Sequence, residues 1–90
     1  MLELMRVNVL CFGVLREAIG VSEIVEVPDL TTVADLLVYF QERSREDLQA
    51  IWSRIAVAVN REYVPREHVL LDDDEVALLP PVSGGSQRLS

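Results

Sequence analysis

No lysine occurs in this chain, and all eight of its basic side chains are arginine. It therefore offers no side-chain amine that could accept an isopeptide bond. The single cysteine, Cys11, excludes an intramolecular disulfide framework and a four-cysteine iron–sulfur site. His68 is the only histidine and has no cysteine nearby, so the ligand spacing of a zinc site is missing and we read it as a structural or surface residue. Long apolar runs are missing too. Met1 to Leu15 is interrupted by Arg6 and Asn8, so neither a signal peptide nor a membrane span is expected, and the chain is read as cytoplasmic. A formal charge of −7 leaves no basic face for nucleic acid or an anionic membrane, and acidic partners are disfavoured for the same reason. What is present is a chain of 90 residues, half of them apolar, enough for one small domain with one core.

Arg6 to Phe12 alternates as a strand, with Val7, Val9 and Cys11 on one face and Leu10 and Phe12 on the other. Cys11 thus reads as a small buried apolar residue rather than a reactive thiol. Gly13 breaks the strand, and Glu23 to Val27 reads as a second one that Pro28 stops, so the two are expected to form a hairpin. Thr31 to Arg43 has the pattern of a helix in which Thr32 caps the amide of Asp35. Its stripe of Val33, Leu36, Leu37 and Phe40 must be covered by a sheet, and Val7, Val9, Val25, Val57 and Val76 are the expected partners. A shorter helix is expected from Arg45 to Ser53, anchored by Trp52. Strands follow at Ile55 to Val59, around Val69 to Leu71, and at Glu75 to Leu79, with turns at Asn60 to Tyr63 and Asp72 to Asp74. The acidic turn lacks the alternating ligands and glycine of a calcium loop, and no metal site is expected. The order ββαβ(β)β predicts an α+β domain: a mixed sheet of four to five strands on one main helix, with a short second helix, as in the ubiquitin-like β-grasp fold.

The last strand runs into Pro80-Pro81-Val82-Ser83-Gly84-Gly85, with five residues beyond. Proline fixes φ and favours a stiff extended segment, whereas two glycines have no Cβ and fit a tunnel too narrow for side chains. Six such residues reach roughly 20 Å at about 3.3 Å each. The plain alternative is a frayed terminus rich in turn residues. We place the domain at residues 1–82 and a C-terminal tail at 83–90.

The order of elements, Leu15-Arg16-Glu17 after the first strand, Ala58-Val59-Asn60 before a turn, and the run from Asp74-Glu75-Val76-Ala77 through Pro-Pro-Val-Ser to Gly84-Gly85 resemble the ubiquitin-like sulfur carriers of the MoaD/ThiS family. Within that family the resemblance is nearest to the small subunit of molybdopterin synthase, and it covers residues 6 to 85. It implies that Gly85 carries the chemistry, while Pro81, Val82, Ser83 and Gly84 thread into a partner. An adenylating enzyme (MoeB-like) spends ATP on the terminal carboxylate, and a sulfur donor converts the acyl adenylate to a thiocarboxylate. The tail then enters the synthase large subunit (MoaE-like), where sulfur attacks cyclic pyranopterin monophosphate to build the dithiolene that holds molybdenum or tungsten. The small subunit itself is expected to bind no cofactor and no metal. Leu10, Phe12, Leu79, Pro80, Pro81 and Val82 are expected to form the docking patch shared by both enzymes, unless loops or the second helix cover it.

Two departures stand out. Family members usually have glycine in the middle of the acidic turn, where this chain has Asp73, a residue that tolerates left-handed geometry. They also usually end at the second glycine, whereas here Ser86-Gln87-Arg88-Leu89-Ser90 follows. Either a protease removes these residues, or the chain is an unactivated precursor or a non-functional relative. Three function classes stay open: the synthase sulfur carrier, a carrier for another pathway or a protein modifier, and a β-grasp binding module with an idle tail.

Overall fold

The computed structural model describes residues 3–81, so Val82, Ser83, Gly84, Gly85 and the five residues after them lie outside it. Strand β1, Leu4–Cys11, buries Met5, Val7, Val9 and Cys11 and exposes Leu4, Arg6 and Asn8, as alternation requires. It pairs antiparallel with β2, Ser22–Pro28, through Met5↔Val27 and Val7↔Val25. The connection is not a bare hairpin turn. Helix α1, Val14–Ile19, lies between the strands and buries Leu15 completely, at 0% exposure. Six residues are too few to show a 3.6-residue period, so the pattern in the sequence could not reveal it.

Helix α2, Val33–Arg43, starts two residues later than expected because Thr32 is its cap. The Thr32 hydroxyl accepts from the Asp35 amide at 3.2 Å, and the Asp35 carboxylate accepts from the Thr32 amide at 3.1 Å. Thr31 turns back instead, its hydroxyl donating to the Pro28 carbonyl at 2.7 Å. The predicted stripe of Val33, Leu36, Leu37 and Phe40 is buried in one core with Val7, Val9, Val25, Val57 and Val76. The expected second helix is a 3₁₀ helix, Glu46–Arg54. Trp52 holds it down, stacking 6.5 Å from the Phe40 ring and donating from Nε1 to the Ser44 hydroxyl at 3.0 Å.

Three more strands, β3 (Ala56–Val59), β4 (Glu62–Tyr63) and β5 (Glu75–Leu79), complete a five-stranded sheet in the order β2-β1-β5-β3-β4. Only β1 and β5 run parallel; the other neighbours are antiparallel. The strand expected around Val69 to Leu71 does not form. Val69 makes a single bridge to Thr32, because the Leu71 amide donates to the Asp74 carboxylate at 2.8 Å and so is bound to the acidic turn instead of a ladder. Leu70 still fills the core, fully buried at 0% exposure.

Candidate functional site: the base of the tail and the open sheet face

The acidic turn is a backbone clasp. Asp72 Oδ1 accepts from the Arg6 amide at 2.8 Å, and Asp74 accepts from Asn60 Nδ2 at 2.9 Å as well as from the Leu71 amide. Asn60 returns the contact by accepting from the Glu75 amide at 3.0 Å, which fixes where β5 begins. Asp73 stands at φ 69° and Asn60 at φ 51°, left-handed positions that these two residue types occupy more readily than most. The departure at Asp73 is therefore accommodated. Among the described residues no group of three or more His, Cys, Asp and Glu side chains is arranged to hold a metal ion.

From this start β5 runs between β1 and β3 and delivers the chain at its far end. Cys11, Leu78 and Val57 face the core, so the alternate row of Leu10, Ala77 and Ala58 faces the other side, with Leu79 next to Ala56 beyond it. Leu10, Leu79, Pro80 and Pro81 are half-buried, and Phe12 is 43% exposed. The sheet thus leaves apolar surface beside the point where the tail departs. The 3₁₀ helix lies with Phe40 on the helix side of the sheet.

Gly13, which sequence reasoning treated only as a strand breaker, belongs to this site. It takes φ 59°, and a Cβ there would stand 3.0 Å from Cγ of Pro80. Glycine is needed for both reasons, and the proline ring packs down where a side chain would otherwise be. Cys11 is buried beneath the same region. Burial, and secondarily the negative charge of Glu23, push its thiol above the ordinary value of 9.0, so it is a poor nucleophile.

A sheet of this order carrying one long helix on one face defines a ubiquitin-like β-grasp domain. The ThiS family model matches residues 9–85, and the chain belongs to that family. It is 41% identical over 87 residues to the molybdopterin synthase sulfur carrier subunit of Mycobacterium tuberculosis, spanning 91% of this chain and all of that protein. Among solved structures, a putative molybdopterin converting factor subunit 1 from Pyrococcus furiosus superposes with a TM-score of 0.72 at 30% identity, over 87% of this chain and 99% of that one. Subunit 1 in the complex of subunits 1 and 2 of the Helicobacter pylori molybdopterin-converting factor gives 0.63 at 28% identity, over 90% and 100%. No described helix is long and apolar enough to cross a membrane.

Proposed function

We propose that this chain is the sulfur-carrier subunit of a molybdopterin synthase and that its reactive atom is the carboxyl carbon of Gly85. The observation that carries this reading is the 41% identity to a sulfur carrier subunit matched along its whole length, with the family match running through Gly85 itself. The chemistry follows from what a carboxylate needs. As an anion it resists attack, so a MoeB-like partner first joins one carboxylate oxygen to the α-phosphorus of ATP and pyrophosphate leaves. A sulfur nucleophile then attacks the acyl carbon, AMP departs with that oxygen, and a thiocarboxylate remains. Its sulfur is the nucleophile toward cyclic pyranopterin monophosphate in a MoaE-like large subunit. No acid, base or metal of the small subunit enters any of these steps. The domain contributes position: Pro80 seated on Gly13 sets the exit direction, Pro81, Val82, Ser83 and Gly84 thread, and Leu10, Phe12 and Leu79 dock.

Because Gly85 has a free α-carboxylate only when it is the terminal residue, residues 86–90 must be removed before activation. The test compares the chain ending at Gly85 with the chain ending at Ser90, each incubated with ATP, the adenylating enzyme and a sulfide source, and read by intact mass. The shorter form is expected to exchange one oxygen for sulfur, and the longer form to stay unchanged until trimmed. Sulfur gained at Ser90, or none gained at Gly85 with an enzyme competent on another carrier, would overturn the proposal.

A further inference from the structure

The outer edge of β2 is the second feature built for contact, and it lies away from the tail. Cys11 N donates to the Val21 carbonyl at 3.0 Å and Asp29 N to the Glu3 carbonyl at 2.9 Å. Hydrogen-bonded pairs recur every second residue in an antiparallel ladder, so Glu23, Val25 and Val27 use their backbone groups on β1. Those of Ser22, Ile24 and Glu26 therefore point outward. β2 ends the sheet, and among the described residues these outward groups have no hydrogen-bond partner.

Two separate clefts flank this edge on the helix side, one near Pro28 lined by Asp29, Leu30, Asp35 and Tyr39, the other lined by Ile19, Glu23, Phe40 and Arg43. Arg43 lies over the Tyr39 ring at 3.8 Å. The part of this edge near Pro28 carries Asp29 and Asp35 in its cleft, while the Glu26 side chain stands on the other face of the strand beside Arg6; none of these acids forms an ion pair among the described residues. Leu30 stands at the same end, 73% exposed and at φ 71°, a turn position that normally selects glycine or asparagine. An apolar side chain kept in strained backbone and in water points to a partner that covers it.

We propose that this edge and the cleft near Pro28 receive an extended cationic segment of a partner protein, which adds to β2 as a sixth strand, places a basic side chain between Asp29 and Asp35, and lays an apolar one on Leu30 and Tyr39. A net charge of −7 favours such a segment and disfavours a second copy of this chain, whose acidic surface would repel the first. The site is on the opposite side of the sheet from Leu10 and Leu79, so both surfaces can be occupied together.

The test is a nuclear magnetic resonance titration of the full, isotopically labelled chain with a synthetic peptide of alternating arginine and valine closed by tyrosine, against a control with glutamate for arginine. The amides of Ser22, Ile24 and Glu26 are expected to shift and gain protection from exchange, with the control at least about tenfold weaker. Ile24→Pro removes an outward N–H that β1 does not use, so the fold is expected to stand while peptide affinity falls by about tenfold or more. If that variant unfolds, Asp29→Lys decides, and it must narrow the preference between the two peptides. Shifts confined to the open face, unchanged affinity in folded Ile24→Pro, or no narrowing in Asp29→Lys overturns the proposal. Edge shifts that grow with protein concentration and need no peptide would assign β2 to a second copy, which also overturns it.

Discussion

Replacing Asp74 by alanine should cost more than any other single change in a turn of this domain. Asp74 is only 7% exposed, and both carboxylate oxygens are used: one by Asn60 Nδ2 at 2.9 Å, the other by the Leu71 amide at 2.8 Å. Hydrogen bonds to a charged group are each worth about 1.5–3 kcal/mol net, and alanine would also leave the Leu71 amide without its partner. Against this stands the relief of no longer burying a carboxylate, so the expected loss is about 2–4 kcal/mol. Urea unfolding followed by circular dichroism measures it as a fall in the midpoint at constant slope. The geometry makes a second demand. Asn60 also accepts from the Glu75 amide at 3.0 Å, so Asn60 and Asp74 act as one unit. A double-mutant cycle with Asn60→Ala should return a coupling of about 1 kcal/mol or more. A loss below about 0.5 kcal/mol for Asp74→Ala, or strict additivity in the cycle, would refute the clasp.

Phe12→Asp and Leu79→Asp should each weaken capture by the large subunit, read by calorimetry, with Phe12→Asp leaving the thermal midpoint nearly unchanged because that ring is 43% exposed. Gly13→Ala should cost about 1 kcal/mol or more from its φ of 59° and should slow sulfur loading, since the new methyl group displaces Pro80. Cys11 should resist iodoacetamide in the folded protein. Its thiol is pushed up in the folded state, chiefly by burial and then by Glu23, so its contribution to stability is fully present below 9.0 and is lost as pH rises beyond it. The stability of the native chain relative to Cys11→Val should therefore fall above about pH 9 and be constant below.

Strongly periodic segments were legible because one rule governed them. The stripe from Val33 to Phe40 and the alternation of Val7, Val9 and Cys11 each mark one face, and the core forms from both. What could not be read depended on distant partners. The segment around Leu70 has the composition of a strand, yet a carboxylate four residues on claims the Leu71 amide and leaves one bridge. Helix α1 is too short to have a period, and its Leu15 reads as an ordinary apolar residue until the sheet closes over it. At the tail, glycines and prolines announce themselves by composition. The role of Gly13 does not, because its reason is a ring sixty-seven positions away in the chain, Pro80, that occupies the space of its missing side chain.

The placement of β5 connects these parts. If Gly85 holds the reactive carbon, as proposed, its delivery depends on the base from which the chain departs, because every ångström of uncertainty at that base is passed on to the reactive end. Of the five strands, β5 is flanked by β1 on one side and β3 on the other, starts at the Asn60–Asp74 clasp, and ends at the Gly13–Pro80 contact. Each of these removes a different freedom. The ladders fix register, the clasp fixes the starting point, and the proline seated on glycine fixes the direction of departure. Under the proposed function, the residues that would set the delivery of Gly85 are thus Gly13, Asn60, Asp74 and Pro80, drawn from separate parts of the chain and joined by one strand.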